Sequence, residues 1–261
     1  MCYAILIQPK SRDFLFMPRY RLTIEYDGTT LVGWQRQNTG PSVQQALEEA
    51  AFGFCQHAIK MTAAGRTDAG VHALGQVVHV DFPNAYKTDT VRDALNYHLK
   101  GHPVTVLSAT QVPDDFHARF SATGRSYLYR ILSRRTPPAL DIARVWWVPI
   151  KLDVDAMAQG AALFLGSHDF TTFRASECQA KSPVKTLDVL EITRHGDEIH
   201  ARAEARSFLH HQVRNMVGTL KLVGEGKWQP GDITRALEAK NRAKGGPTAP
   251  ASGLYLTSVR Y

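Results

Sequence analysis

The chain has 261 residues, 44% of them hydrophobic, and its 31 lysines and arginines against 24 acids leave a net charge of +7. That length holds one large domain or two halves with a substantial core, and the basic excess suits a polyanionic partner without requiring one. No apolar run nears the roughly 20 residues of a membrane helix, and Cys2, Cys55 and Cys178 lack CxxC spacing, which excludes a disulfide framework and a zinc knuckle and fits a reducing cytoplasm.

Residues 1–17 read as an N-terminal extension. Its apolar run, 3–7, follows no basic residue and is cut short by Gln8-Pro9-Lys10, so it is not a signal peptide. Residues 21–26 alternate as a half-buried strand does. Pro41-Ser42 opens a helix over 43–57, with Ser42 and Gln45 spaced as a capping box. Strands are expected at 59–64 and 76–82, a second helix at 88–99 capped by Thr88 or Asp89, and further strands at 104–112 and 126–132. The order contains a β-α-β-β-α-β run, a ferredoxin-like arrangement. Pro137-Pro138 marks a connection, dividing the chain into halves at 18–135 and 136–261. The pattern then partly recurs: a strand at 146–149, a helix at 154–165, strands at 184–194 and 198–207, a long helix at 208–223, a helix to Lys240 capped by Asp232, and a closing strand at 254–260.

Between the strands at 59–64 and 76–82 lies Gly65-Arg66-Thr67-Asp68-Ala69-Gly70-Val71-His72. Two glycines let the backbone turn sharply and a ligand approach, and a loop between strands is a rigid mount for chemistry. Asp68 is the only carboxylate of the loop, and Arg66 two residues earlier would hold it ionised, fit for a nucleophile or a general base. From spacing alone, an Asx-type turn beside a surface arginine reads equally well. Tyr127 and Tyr129 share one face of their strand, which by itself reads as a core pair. Arg214 lies among Val213, Met216 and Val217 and needs a partner for its charge. His210 and His211 can approach it from the same helix, but adjacent histidines point apart and no third ligand is evident, so no metal site is expected.

The octet resembles the signature of the tRNA pseudouridine synthase A family, and further blocks follow in that family's order. They are Tyr26-Asp27-Gly28-Thr29 with Gly33-Trp34-Gln35, Phe116-His117-Ala118-Arg119-Phe120-Ser121-Ala122, Arg125-Ser126-Tyr127-Leu128-Tyr129, Phe170-Thr171-Thr172-Phe173-Arg174-Ala175, Phe208-Leu209-His210-His211-Gln212-Val213-Arg214-Asn215-Met216 and Ala251-Ser252-Gly253-Leu254. The resemblance implies an α+β fold of two ferredoxin-like halves joined through a central mixed sheet, with a catalytic cleft between them. It implies an isomerase that breaks the glycosidic bond of uridine at positions 38, 39 and 40 of a tRNA anticodon stem-loop, turns the base, and rejoins it through C5. No metal or cofactor is implied. It assigns Asp68 to the attack on the sugar, covalently or by removal of a ribose proton. It assigns Tyr127 to the face of the target base, Arg214 to an ion pair with Asp68, Arg66 to base flipping and Leu254 to an apolar contact beside the base. It places Phe116, His117, Ala118, Arg119 and Phe120, and Arg174, Glu177, Cys178, Gln179, Ala180 and Lys181, against tRNA. A homodimer and a cytoplasmic location are also implied. A non-catalytic RNA-binding protein and a synthase for other RNA sites are the rival readings.

Overall fold

The structure, a computed structural model, describes residues 17–261, so the N-terminal extension lies outside it except for Met17. In the first half, β1 (Arg19–Tyr26), β2 (Thr62–Ala63), β3 (His72–Asp81) and β4 (Val104–Val112) alternate with α1 (Val43–Cys55) and α2 (Thr88–His98). The second half runs β5 (Gly124–Ser133), β6 (Trp146–Val148), α3 (Val154–Ala162), β7 (Gly166–Asp169), β8 (Val184–His195), β9 (Glu198–Ala205), α4 (Gln212–Gly224), α5 (Asp232–Ala239) and β10 (Leu254–Arg260). One mixed sheet takes the order β4-β1-β3-β10-β5-β9-β8-β7, with β2 beside β3 and β6 beside β5.

The ferredoxin-like order appears twice. The strands β4-β1-β3-β2 and β10-β5-β9-β8 each place the last strand of a βαββαβ unit beside its first. Strand β5, expected to close the first half, opens the second: it pairs with β9 and β10 and buries Tyr129 and Ile131 in the second core. The halves meet where β10 runs parallel to β3, with Tyr255 opposite His72 and Leu256 opposite Ala73. Farther along, β3 pairs with β2 through Val78 and His79. The strand expected over 59–64 is confined to Thr62 and Ala63, and the loop 64–71 that follows runs to the junction of the halves, where β10 takes the edge of β3 near His72.

The alternating side chains Tyr20, Leu22, Ile24 and Tyr26 of β1 pack with Val43, Leu47 and Ala51 of α1 and Val91 and Leu95 of α2 in one core. The second core gathers Tyr129 and Ile131, Phe164, Phe170 and Phe173, and Val213, Met216, Val217 and Leu220 of α4. Tyr127 packs against both. Strand β3 is buried on both faces, because Ala64, Val77 and Ala118 form a small third cluster on the side away from the helices.

Local signals were honoured in part. Ser42 Oγ accepts the N–H of Gln45, worth about 1 kcal/mol, but the Gln45 amide turns to Glu49, so only half the capping box forms. Helix α2 starts after Lys87, with no side-chain cap, and Asp89 sits in its first turn. Gly231, not Asp232, precedes α5. The helix expected over 208–223 begins at Gln212, because Phe208 packs on Tyr127, Leu209 is buried, and the Gln212 amide oxygen accepts the Leu209 N–H. The helix expected over 154–165 ends at Ala162; Gly166, at φ 91°, then turns the chain into the unexpected edge strand β7.

An ionic latch ties the halves near β3. Asp27 Oδ2 accepts from Arg144 at 2.8 and 3.0 Å. Buried His72 accepts the Gly28 N–H at Nδ1, its Nε2 bonds the Ala143 carbonyl, and its ring stacks on Tyr255. Burial lowers the His72 pKa below its ordinary value, so its 3.2 Å contact with Asp27 is not an ion pair at neutral pH. For Asp27, burial alone would raise the carboxyl, but the Thr29 hydroxyl and N–H and the Arg144 guanidinium hold it down to about 2. The unfolded value is about 3.9. A depressed carboxyl gives stability that is complete above the unfolded value and lost as pH falls through the folded one. Asp27→Asn should therefore lower the denaturation midpoint near neutral pH, and the gap to wild type should close between about pH 4 and pH 2. Urea melts across that range are the check; a gap that stays constant would mean the carboxylate charge is not its source.

Candidate active site

The signature loop is built on the first half's N-terminal motifs. Gly33 holds φ 103°, and a Cβ there would lie 2.6 Å from the Thr67 carbonyl oxygen and 3.0 Å from the Asp68 carbonyl carbon. Gly28 is as tightly placed, 2.1 Å from the Val71 oxygen by the same measure. The Trp34 N–H donates to the Thr67 carbonyl, the Gly70 N–H to Leu31, and the buried Tyr26 hydroxyl meets Thr67 Oγ1 at 2.7 Å. Those contacts fix the backbone on either side of Asp68.

The Asp68 carboxylate is met by three nitrogen groups from the second half. Arg214 Nη1 donates to Oδ2 at 2.9 Å, His210 Nε2 lies 3.1 Å from Oδ1, and His211 Nε2 lies 3.1 Å from Oδ2. Arg214 is held in turn by its Nε–H bond to the Ala249 carbonyl. The guanidinium beside Asp68 is thus Arg214's and not Arg66's; Arg66 is exposed and forms no ion pair among the described residues. The two histidines converge, against the expectation for neighbours on a helix, because both precede α4. His211 sits in the left-handed region at φ 62°, a cost of about 1 kcal/mol or more, and the two rings lie 4.0 Å apart. Asp68 therefore supplies the third metal-capable donor that spacing did not reveal, with all three donor atoms within 4.8 Å of one another. Burial, then Arg214 and His210, lower the His211 pKa against the pull of Asp68 and Glu177, so His211 is neutral at pH 7.

Tyr127 is half-buried on β5, edge-on to Phe208 at 5.2 Å. Burial, with the nearby Asp68 charge adding to it, pushes its phenol up to about 12. At neutral pH it is a hydroxyl donor and a flat surface, and not a base. Leu254 is buried in the second core, opposite Tyr129 in the β10–β5 pairing.

Two segments flank the carboxylate. In the first, Ala118 is buried against β3, and its N–H donates to His79 Nδ1. That anchor presents Phe120, 73% exposed, with Arg119 over its ring at 5.6 Å and the His117 ring at 4.4 Å, while Phe116 turns inward to Tyr261. In the second, the Ala175 N–H bonds the His210 carbonyl, and Glu177, Gln179 and Lys181 are exposed while Arg174, Cys178 and Ala180 are partly covered. Of the residues expected against tRNA, Ala118 alone is buried, so its side chain cannot reach a ligand.

The model of the tRNA pseudouridine synthase family matches residues 22–121 and 161–261, which carry every group just described except β5 with Tyr127. The chain belongs to that family. It is therefore an isomerase of the class that converts uridine to pseudouridine. It is 68% identical over 245 residues to a tRNA pseudouridine synthase A of Paramagnetospirillum magneticum, covering 94% of this chain and 96% of that one. Proteins of the same description from Rhodospirillum centenum and Rhodospirillum rubrum are 60% and 59% identical over the same length, covering 94% of this chain and 100% and 88% of theirs.

Within the family fold one residue quoted only as part of a motif has an evident structural task. Arg125 donates to the carbonyls of Ala64 and Arg119, both at 2.9 Å, and to that of Arg206. It thereby joins the start of the signature loop, the Phe120 segment and the end of β9. No spacing rule singles it out, since its three acceptors are backbone carbonyls, two of them remote in sequence. For the loop itself, Gly33→Ala must push the backbone of Thr67 and Asp68 aside, and a displacement of about 1 Å at a reacting group costs on the order of a hundredfold in rate. Single-turnover assays should show that loss with tRNA affinity within about threefold of wild type; equal losses in rate and affinity would mean that the strain spreads beyond the loop.

Proposed function

We propose that this synthase isomerises uridines 38, 39 and 40 in the tRNA anticodon stem-loop, with Asp68 as the group that attacks the sugar or removes a ribose proton. The observation that carries the reading is the Asp68 carboxylate on a tightly braced loop at the junction of the halves, bound to Arg214 at 2.9 Å and still 25% exposed. The ion pair and the two imidazoles orient the carboxylate, and the exposed part leaves it a path to C1′. Tyr127, held as a phenol, can lie against the uracil and donate or relay a proton while the base is detached. Leu254 adds an apolar wall, and Arg66, without an ion-pair partner among the described residues, enters the stem to turn the uridine out. A uridine in a stem is stacked, so extraction precedes any chemistry at the sugar.

His117, Arg119 and Phe120 combine an exposed ring, an imidazole and a guanidinium, the mixture that meets phosphate and stacks on bases. With Arg174 and Lys181 on the opposite flank, they grip the tRNA backbone. The protein works as a cytoplasmic homodimer in which one tRNA touches both copies. No helix among the described residues is long and apolar enough to cross a membrane. A purely RNA-binding role is disfavoured, because a binder has no use for a carboxylate bound to an arginine beside a phenol.

Asp68→Asn keeps size and polarity and removes the charge. It should abolish pseudouridine formation, read by loss of tritium from 5-tritiated uridine, while tRNA binding by filter retention stays near wild type. Residual turnover beyond trace would remove Asp68 from the central role. Arg66→Ala should lose far more rate than affinity on a paired target, and less rate when the target is already unpaired, because unstacking then costs less. Arg119→Ala and Lys181→Ala should instead weaken binding and reduce its salt slope by roughly one counterion each. Equal rate losses on paired and unpaired targets would exclude flipping by Arg66, and an unchanged salt slope would exclude the two phosphate contacts.

A further inference from the structure

The geometry points to a binding site for a single zinc-like divalent ion formed by Asp68, His210 and His211, whose occupancy takes the carboxylate out of the reaction. Zinc takes imidazole nitrogen and carboxylate oxygen at about 2.0–2.2 Å in tetrahedral sites, which sets neighbouring donors about 3.3 Å apart. Both imidazole–carboxylate separations here are 3.1 Å, and the three donor atoms lie within 4.8 Å of one another. The two contacts to Asp68 already stand near that spacing, and turning the part-exposed imidazoles about their side-chain torsions closes the third side, at most 4.8 Å, on an ion. The donors are mounted for convergence and not adjacent by accident of a helix: His211 holds a left-handed backbone, and its ring leans on His210.

The surroundings permit entry and charge balance. The Asp68 and His211 side chains are 25% exposed and His210 is 41% exposed, so an ion can reach the site and a water can complete its coordination. Arg214 is bound at Oδ2 and opposes a cation there, which directs the ion to Oδ1, on the side of His210. Glu177 lies on the exposed segment whose Ala175 N–H bonds the His210 carbonyl, and it adds a carboxylate near the pair. Binding requires each Nε2 to present a lone pair, so the ring proton moves to Nδ1 and the hydrogen bonds to Asp68 are exchanged for metal bonds. No redox step is involved. An Asp68 oxygen committed to the ion has no free electron pair aimed at the sugar, so the site is inhibitory, and chelation restores activity.

The test uses the full chain without RNA first. Zn(II) titrated by calorimetry should bind with one-to-one stoichiometry, and Co(II) in its place should give the intense visible bands of a low-coordinate site. His210→Ala and His211→Ala should each weaken Zn(II) by at least the roughly tenfold that loss of even an outer partner costs at such sites. Cys178→Ser, a thiol control on the neighbouring loop, should leave the affinity unchanged. With pre-folded tRNA at constant magnesium, Zn(II) at saturating concentration should stop turnover, and a chelator should restore it. Absence of saturable binding, binding indifferent to both histidine variants, or binding lost with Cys178→Ser would each overturn the site. Binding that leaves turnover intact would overturn the inhibitory part; because Asp68→Asn is assayed separately and without metal, that result is distinguishable from a failure of the catalytic reading of Asp68.

Discussion

The short parallel pairing of β10 with β3 is the constraint on which the molecule turns. Only Tyr255 with His72 and Leu256 with Ala73 are matched across it, yet it makes two ferredoxin-like sheets into one. Each half closes its own core, so neither needs the other to bury its helices. The pairing instead sets where the halves sit: the loop that begins at Ala64 must end beside the strand that follows α4, and Asp68 meets Arg214 across that seam. The Asp27–Arg144 ion pair and the His72–Tyr255 stack reinforce the same edge. Tyr127 lies in the seam as well, packed against both cores.

A carboxylate ringed by one guanidinium and two imidazoles is a compromise between orientation and reactivity. Full burial of the ion pair would cost more in desolvation than it returned, and an exposed pair would be worth under about 1 kcal/mol and would not hold its geometry. Asp68 stands between these limits. Arg214 is anchored behind it by the Ala249 carbonyl, while the histidine side stays open to solvent. The openness that the proposed attack by Asp68 requires is also what the proposed metal site requires, because ligand geometry for zinc and hydrogen-bond geometry for imidazole and carboxylate differ by only a few tenths of an ångström.

The segment from Phe116 to Phe120 shows how a binding surface is mounted on a core. Ala118 is buried on the outer face of β3, and its backbone is pinned by His79. His117, Arg119 and Phe120 are thereby displayed at fixed spacing, at little further cost in chain entropy when a ligand arrives. Arg125 couples this display to the signature loop through carbonyls on both. A change at this exposed segment is thus mechanically connected to the loop that carries Asp68.

The sequence by itself determined the elements whose cause is local. Alternation in β1 and β10, the Ser42 cap and the apolar stripe of α4 follow from side chains a few residues apart, and the ordered family motifs brought Asp68, Tyr127 and Arg214 forward as a set. Tertiary structure decided the rest. The strand over 59–64 shrank to Thr62 and Ala63, and α4 began four residues late because Phe208 and Leu209 found burial elsewhere. The ion pair of Asp68 with Arg214, which the family resemblance implied but spacing alone did not, the convergence of His210 and His211, and the three-way grip of Arg125 all join residues distant in the chain or depend on a backbone turn that no periodicity announces. Local propensity acts within one or two turns of chain; those contacts come from the docking of two halves whose relative placement is fixed by a few backbone hydrogen bonds, and side-chain spacing carries no record of it.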